Sequence, residues 1–164
     1  MKRYLSFFIL VALSGCFGDH EKIVTGLEGK LLPPIGLTLI DSVSAFNTSS
    51  IPAGRPFILF YYQPHCPFCR QQTEAIVKNI DKLKNVNIYM VSSWPYNDVQ
   101  EYVKRYHLGR YQNIIVIQDR QKNLDAYFQP KGVPFLAFYD SQRRLKRAFL
   151  GAQDVDVLRE NVER

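Results

Sequence analysis

Phe57-Ile58-Leu59-Phe60-Tyr61-Tyr62 is an unbroken apolar run, closed by Pro56 in front and by Gln63-Pro64 behind. A run without polar alternation predicts a strand buried on both faces, and such a strand needs a layer of structure on each side. Cys66-Pro67 follows almost at once. Proline is preorganised for the first helical position, where its missing N–H has no partner to lose, so a helix is expected to begin at the cysteine. Along that helix Cys69, Thr73, Ile76, Ile80 and Leu83 recur every three or four residues. They share one stripe, and the stripe faces the core.

The rest of the chain supplies further layers. Asn87 to Ser92 reads as a second strand, and Asn97 with Gln100 predicts a cap for a helix carrying Val99, Tyr102, Val103 and Tyr106. Ile114 to Ile117 is a short β-branched run, and Leu124, Tyr127 and Phe128 suggest a helical turn or two. Pro134 opens Phe135 to Tyr139, a place where a strand tolerates proline. Asp140-Ser141-Gln142 then turns the chain into Leu145 to Leu150, and Asp154 is expected to cap a last helix with Val155, Leu158 and Val162 on one stripe. Upstream, Gly26, Gly29 and Pro33-Pro34 punctuate short apolar stretches such as Leu37 to Ile40, which predicts a tether followed by edge strands or a hairpin. Strands alternating with helices, then an antiparallel hairpin and a closing helix, place the chain in the α/β class. The expected architecture is a central mixed sheet with helices on both faces.

The N-terminus belongs to transport rather than to the fold. Lys2 and Arg3 precede an apolar run from Leu5 to Leu13 and then Ser14, Gly15 and Cys16, the pattern of an export signal. The run is shorter than the roughly 20 apolar residues that a membrane-spanning helix requires. Leu13-Ser14-Gly15-Cys16 resembles a bacterial lipobox, in which the cysteine carries lipid and becomes the mature N-terminus. Ordinary secretion is the alternative and would leave Cys16 as an exposed free thiol, an oxidation liability. The expected division is a signal over 1–15, a tether over 16–28 and one domain over 29–164. The expected location is extracytoplasmic, lipid-anchored to a bacterial membrane and facing the periplasm. Lys and Arg number 21 against 15 Asp and Glu, and two of those cations lie in the signal, so the basic excess is mild. Its one cluster, Arg143, Arg144, Lys146 and Arg147, reads as a solvated hairpin, and no nucleic-acid partner is expected.

With Cys16 assigned to lipid, Cys66 and Cys69 have only each other. Their spacing puts two sulfurs on the first turn of a helix. Cys66 sits at the cap, where free N–H groups and the positive end of the helix dipole stabilise a thiolate, which predicts a nucleophile. Cys69 lies on the core-facing stripe, which predicts a buried resolving thiol. Arg70 adds a cation in the first turn. The chemistry that follows is thiol–disulfide exchange through a mixed disulfide, with no metal and no organic cofactor. A disulfide kept for stability alone is a poor alternative, because stabilisation grows with loop length and this loop is very short. Zinc needs four ligands, and only His65 with the distant His20 or His107 could join the pair. Covalent haem needs histidine after the second cysteine, where this chain has Arg70.

Strand, Cys66-Pro67-Phe68-Cys69, long helix and a later Gly132-Val133-Pro134 leading a strand resemble thioredoxin. The chain is most similar to the membrane-anchored TlpA/ResA-like branch, through Gly29-Lys30 and Pro33-Pro34 before an N-terminal strand and through the extra helix and strand at about 97 to 117. The resemblance runs from about Gly29 to Val162. It implies a thioredoxin fold with an N-terminal strand or hairpin extension and an inserted helix and strand. It also implies that Pro134 is cis and lies against the cysteine pair, while the backbone of Val133 pairs with an incoming substrate strand.

The departures from the family pattern are specific. His65, preceded by Pro64, stands where tryptophan is usual before the nucleophile; it could tune the thiolate or simply face solvent as a loop residue. Phe60 replaces the buried acid that thioredoxins carry six residues before the nucleophile, and Gln72 replaces the acid common in the TlpA/ResA-like branch six residues after it. Proton removal from Cys69 then falls to water or another group, with Glu74 as a candidate. Three functions remain open. The resemblance implies a reductase fed across the membrane by an integral thiol protein and acting on protein disulfides, including those of cytochrome c precursors. The Pro67-Phe68 dipeptide, His65 and Val133 are closer to oxidising or glutaredoxin-like members, which implies an oxidase or isomerase. A lipid-anchored module that binds peptides or carries copper is the third.

Overall fold

The computed structural model describes residues 22–41 and 43–163; the expected signal, Cys16 and the tether through residue 21 lie outside the described residues. The apolar run forms β4 (Phe57–Tyr61), and all of its side chains are buried. Ile58 and Phe60, with Tyr62 just beyond the strand, face one hydrophobic cluster, while Phe57, Leu59 and Tyr61 face the other. Each of these side chains, once removed from water, stabilises the fold by roughly 1.5–3 kcal/mol.

Around β4 the chain runs in order through β1 (Lys22–Ile23), β2 (Gly36–Leu39), β3 (Ala45–Asn47), β4, α1 (Pro67–Lys78), β5 (Asn87–Ser92), α2 (Tyr96–Arg105), β6 (Ile114–Gln118), α3 (Asn123–Phe128), β7 (Phe135–Tyr139), β8 (Leu145–Leu150) and α4 (Val155–Glu163). The eight strands form one sheet in the order β1-β8-β7-β4-β5-β6-β2-β3. β4, β5 and β6 are parallel, whereas β7, β8 and the N-terminal strands join antiparallel. This is a mixed α/β sheet of the thioredoxin type, with β2 and β3 as the N-terminal hairpin. Cys69, Ile76, Val99, Tyr102, Val155, Leu158 and Val162 place α1, α2 and α4 on one face. Leu124 and Phe128 of α3 cover the other, together with Leu32, Ile35 and Ile51 of the N-terminal segment.

Several elements differ from the sequence reading. Pairing begins inside the stretch expected to be a tether: Lys22 and Ile23 register with Phe149 and Ala148 of β8. Just after them Thr25 folds back, its N–H and Oγ1 donating to Glu28 Oε1 at 2.8 and 2.9 Å. The cap expected at Asn97 is not there. α2 starts at Tyr96, two residues earlier than a cap at Asn97 would place it, with Pro95 in the cap position and no side-chain cap bond. α1 stops at Lys78, and its stripe continues through a 3-10 turn over Ile80–Leu83 that buries Leu83. The basic cluster does lie in a hairpin, but it is anchored rather than merely solvated. Arg143 donates to Thr48 O at 2.9 Å, Arg144 to Gly29 O at 3.0 Å and Arg147 to Asn161 Oδ1 at 2.9 Å.

Candidate active site

The C-terminal ends of β4 and β5, the start of α1 and the loop before β7 meet at one end of the sheet. Cys66 is the N-cap of α1, in extended backbone, with Pro67 at the first helical position. Its own N–H donates to Gln63 O at 3.1 Å, and its carbonyl accepts the first helical bond from Arg70 at 3.1 Å. The thiol makes no capping bond, so the first-turn N–H groups keep the partial positive charge of an uncapped helix end. Cys66 Sγ instead lies 3.7 Å from the carbonyl of Val133, to which it donates. The Val133–Pro134 peptide is cis. Pro134 is buried and leads β7, a strand flanked by β4 and β8 rather than one at an edge.

Cys69 lies one turn further along, fully buried in the core. Burial pushes its thiol well up, against the pull of the Gln63 backbone, and the hydrogen bond with the neighbouring Cys66 side chain pushes it the same way. Both cysteines are free thiols; Cys66 is half-buried. Between them Phe68 is 60% exposed, an apolar ring presented to whatever approaches the pair. The geometry therefore offers one thiol that an incoming molecule can reach and one that only Cys66 can reach.

His65 is not a free loop residue. Its Nε2 lies 3.1 Å from Asp98 Oδ1 at the start of α2, its Nδ1 lies 3.5 Å from an Arg70 guanidinium nitrogen, and its ring stands edge-on to Trp94 at 5.0 Å. Arg70 also donates from Nε to Pro64 O at 2.9 Å, which clamps the turn leading to Cys66. The His65 ring is thus held between a donor, the Arg70 guanidinium facing Nδ1, and an acceptor, the Asp98 carboxylate facing Nε2. Glu74, by contrast, sits on the exposed side of α1 and accepts from Tyr106 at 3.2 Å, while Cys69 lies on the buried side of the same helix. Phe60 is core.

Gln72 takes the place of the family acid with a different task. Its Nε2 donates to Gln153 O at 3.2 Å and its Oε1 accepts from Gln153 N at 2.5 Å, deep in the interior. Sequence reasoning also missed Tyr102 as a site support. Its hydroxyl donates to the Cys69 carbonyl at 3.0 Å and shares a 2.7 Å bond with Thr73 Oγ1. Asp98 stands four residues before Tyr102, so the two share the face of α2 that reaches α1. That spacing was the one available signal for Asp98. Among the described residues no group of three or more His, Cys, Asp or Glu is placed to hold a metal ion, and no helix is long and apolar enough to cross a membrane.

Comparison with known proteins follows the same lines. The AhpC/TSA family pattern matches residues 29–160, most of the chain. No curated protein is similar enough in sequence to match. Among solved structures, DsbF of MTB is 20% identical with a TM-score of 0.67, over 86% of this chain and 97% of that one. A secreted Mycobacterium tuberculosis disulfide oxidoreductase homologous to E. coli DsbE is 21% identical with a TM-score of 0.64, over 79% and 94%. The thioredoxin domain of a Bacteroides vulgatus thiol-disulfide oxidoreductase gives 21% and 0.64, over 83% and 95%. These likenesses fix the thioredoxin fold. With the family pattern spanning nearly the whole described domain and the free cysteine pair on α1, the chain belongs to the AhpC/TSA family, as a thioredoxin-like oxidoreductase.

Proposed function

We propose that the protein reduces disulfides of other proteins outside the cytoplasm, on a lipid anchor at Cys16, with Cys66 as nucleophile and Cys69 as resolving thiol. The observation that carries this reading is the asymmetry of the pair. The Cys66 sulfur stands at an uncapped helix end beside the Val133 carbonyl, and Cys69 is sealed one turn below. In the reaction the Cys66 thiolate attacks a substrate disulfide, forms a mixed disulfide and expels one substrate thiolate. Cys69 then loses its proton to solvent and attacks the Cys66 sulfur, which releases the second substrate thiolate and leaves a Cys66–Cys69 disulfide. Two electrons pass to the substrate and no metal or organic cofactor takes part. The backbone of Val133, before Pro134, receives the substrate strand. An integral-membrane thiol protein restores the dithiol. Export and anchoring rest on the Lys2 to Cys16 pattern, supported by the secreted character of one similar structure. Precursors of cytochrome c are one substrate class that fits this setting.

A second direction has its own support. The Pro67-Phe68 dipeptide between the cysteines, His65 before them and Val133 before the cis proline are closer to oxidising or glutaredoxin-like members. The reduction potential separates the two: a value near about −270 mV supports the reductase, and one approaching about −120 mV replaces it with an oxidase or isomerase. Insulin-disulfide reduction by the wild-type chain should vanish in Cys66→Ser. If the wild-type chain shows no exchange with any disulfide, a non-catalytic peptide-binding or copper-carrying module stands instead.

A further inference from the structure

Tyr62 is fully buried just beyond β4, its N–H donating to Val91 O at 2.9 Å, and its side chain packs in the same cluster as Cys69. Its ring lies 4.8 Å from that of Tyr102, whose hydroxyl donates to the Cys69 carbonyl. Yet the Tyr62 hydroxyl itself has no hydrogen-bond partner among the described residues. Tyr61 and Tyr139 share that lack, but both belong to the cluster on the other face of the sheet, so Tyr62 is the unpartnered phenol on the side of the cysteine pair. A buried hydroxyl without a partner costs stability that phenylalanine at the same place would not. The groups whose charge bears on this hydroxyl are Tyr102 and Cys69, and burial keeps the phenol protonated, a donor rather than a base. Tyr102 already bonds the Cys69 carbonyl and Thr73, which leaves the Cys69 sulfur as the acceptor. A neutral thiol accepts weakly, whereas an ionised acceptor takes a hydrogen bond about twice as strong as a neutral one.

We infer that the Tyr62 hydroxyl donates to the Cys69 sulfur when that sulfur becomes a thiolate, and so stabilises the resolving step. The inference rests on the exchange proposed above, with Cys69 as the resolving thiol. In that step the Cys69 thiol gives its proton to solvent, and the thiolate attacks the Cys66 sulfur. A Cys66–Cys69 bond forms, the bond between Cys66 and the substrate sulfur breaks, and the electron pair leaves on the substrate thiolate. Tyr62 keeps its proton throughout. Such a donor matters because the two positions where an acid is usual hold Phe60 and Gln72, Gln72 is committed to Gln153, and burial works against ionisation of Cys69. A donor fixed in the interior needs no reorganisation as the charge forms. Its bond is unmade in the resting dithiol and made as the thiolate appears, so it lowers the barrier rather than the ground state.

The test follows the reaction of the reduced full chain with dithiobis(nitrobenzoate) by stopped flow. Cys66 attacks first and releases one coloured thiolate; Cys69 then resolves the mixed disulfide and releases the second, so the two phases report the two sulfurs separately. Tyr62→Phe should leave the first phase as it is and slow the second at least about tenfold, the worth of a hydrogen bond to a charged group. The rise of the second phase with pH should move up by about one pH unit. The urea midpoint of the variant should equal or exceed that of the wild-type chain, since an unpartnered hydroxyl has been removed. Tyr139→Phe, which takes a like hydroxyl from the opposite face, should change neither phase. A Tyr62→Phe chain that resolves at the wild-type rate, one whose slow resolution comes with a lowered urea midpoint, or a Tyr139→Phe chain that slows equally overturns the role of Tyr62 while leaving exchange in place. If the wild-type chain releases no coloured thiolate, the exchange reading fails first and the role of Tyr62 goes with it.

Discussion

Cys66 and Cys69 are separated by two residues but meet opposite environments. The first stands at the N-cap position of a helix, half-buried, with its sulfur 3.7 Å from a carbonyl; the second is fully buried with its thiol pushed up by desolvation. Alkylation requires a thiolate that the reagent can reach, so the two should differ in rate far more than their chemistry alone implies. In Cys66→Ser the remaining Cys69 should react with iodoacetamide at pH 8 at least about a hundredfold more slowly than Cys66 does in Cys69→Ser, and guanidinium should erase the gap. Comparable native rates would show that the buried sulfur is accessible. This contrast was legible in the sequence, because a proline after one cysteine and an apolar stripe through the other are local facts. The surroundings of His65 were not. Its partner Asp98 is 33 positions away, and only the packing of α2 against the start of α1 brings the two together.

Elements were legible where periodicity was strong and illegible where pairing made them. The apolar runs of β4 and β7 and the stripe of α1 follow from side-chain pattern alone. β1, only Lys22 and Ile23, has no pattern to read and exists because β8 offers it an edge. The capping of α3 was hidden in the same way. Asp119, buried and before the helix, accepts the N–H groups of Asn123, Leu124 and Asp125 at 2.7, 3.0 and 3.1 Å. Burial nevertheless holds its carboxyl above the usual range. Between elements, Gln72 is the clearest tie. It matches both backbone groups of Gln153 and so fixes the entrance of α4 to the middle of α1. Gln72→Ala should lower stability by about 2–3 kcal/mol in urea unfolding, since it orphans a buried N–H and C=O together. Gln72→Glu restores the acid of the TlpA/ResA-like branch but sets a carboxylate against the Gln153 carbonyl. It too should destabilise, and a neutral outcome would mean that the loop at Gln153 can turn away.

At the scale of the whole molecule, several acidic hydroxyls and a thiol are held in the interior in their neutral forms. Tyr61 is pushed up to about 12, and Tyr62, Tyr102, Tyr139 and Cys69 are raised further, in each case first by burial. In the unfolded chain a thiol ionises near about 8.5 and tyrosine near about 10. Above those values the unfolded state has shed protons that the folded state keeps, so the unfolded state binds fewer and stability falls as pH rises. Each such group removes about 1.4 kcal/mol per pH unit until its folded value is reached. The fold should therefore weaken in two stages, first through Cys69 and then, above about pH 10, through the tyrosines. Unfolding of Cys66→Ser compared with Cys66→Ser/Cys69→Ala isolates the first stage. Between pH 8 and 9.5 the single variant should lose about 1.4 kcal/mol more than the double, whatever their stabilities at neutral pH. Parallel pH profiles would mean that Cys69 ionises in the fold as readily as in water. Its attack on the Cys66 mixed disulfide would then need no special route for the proton.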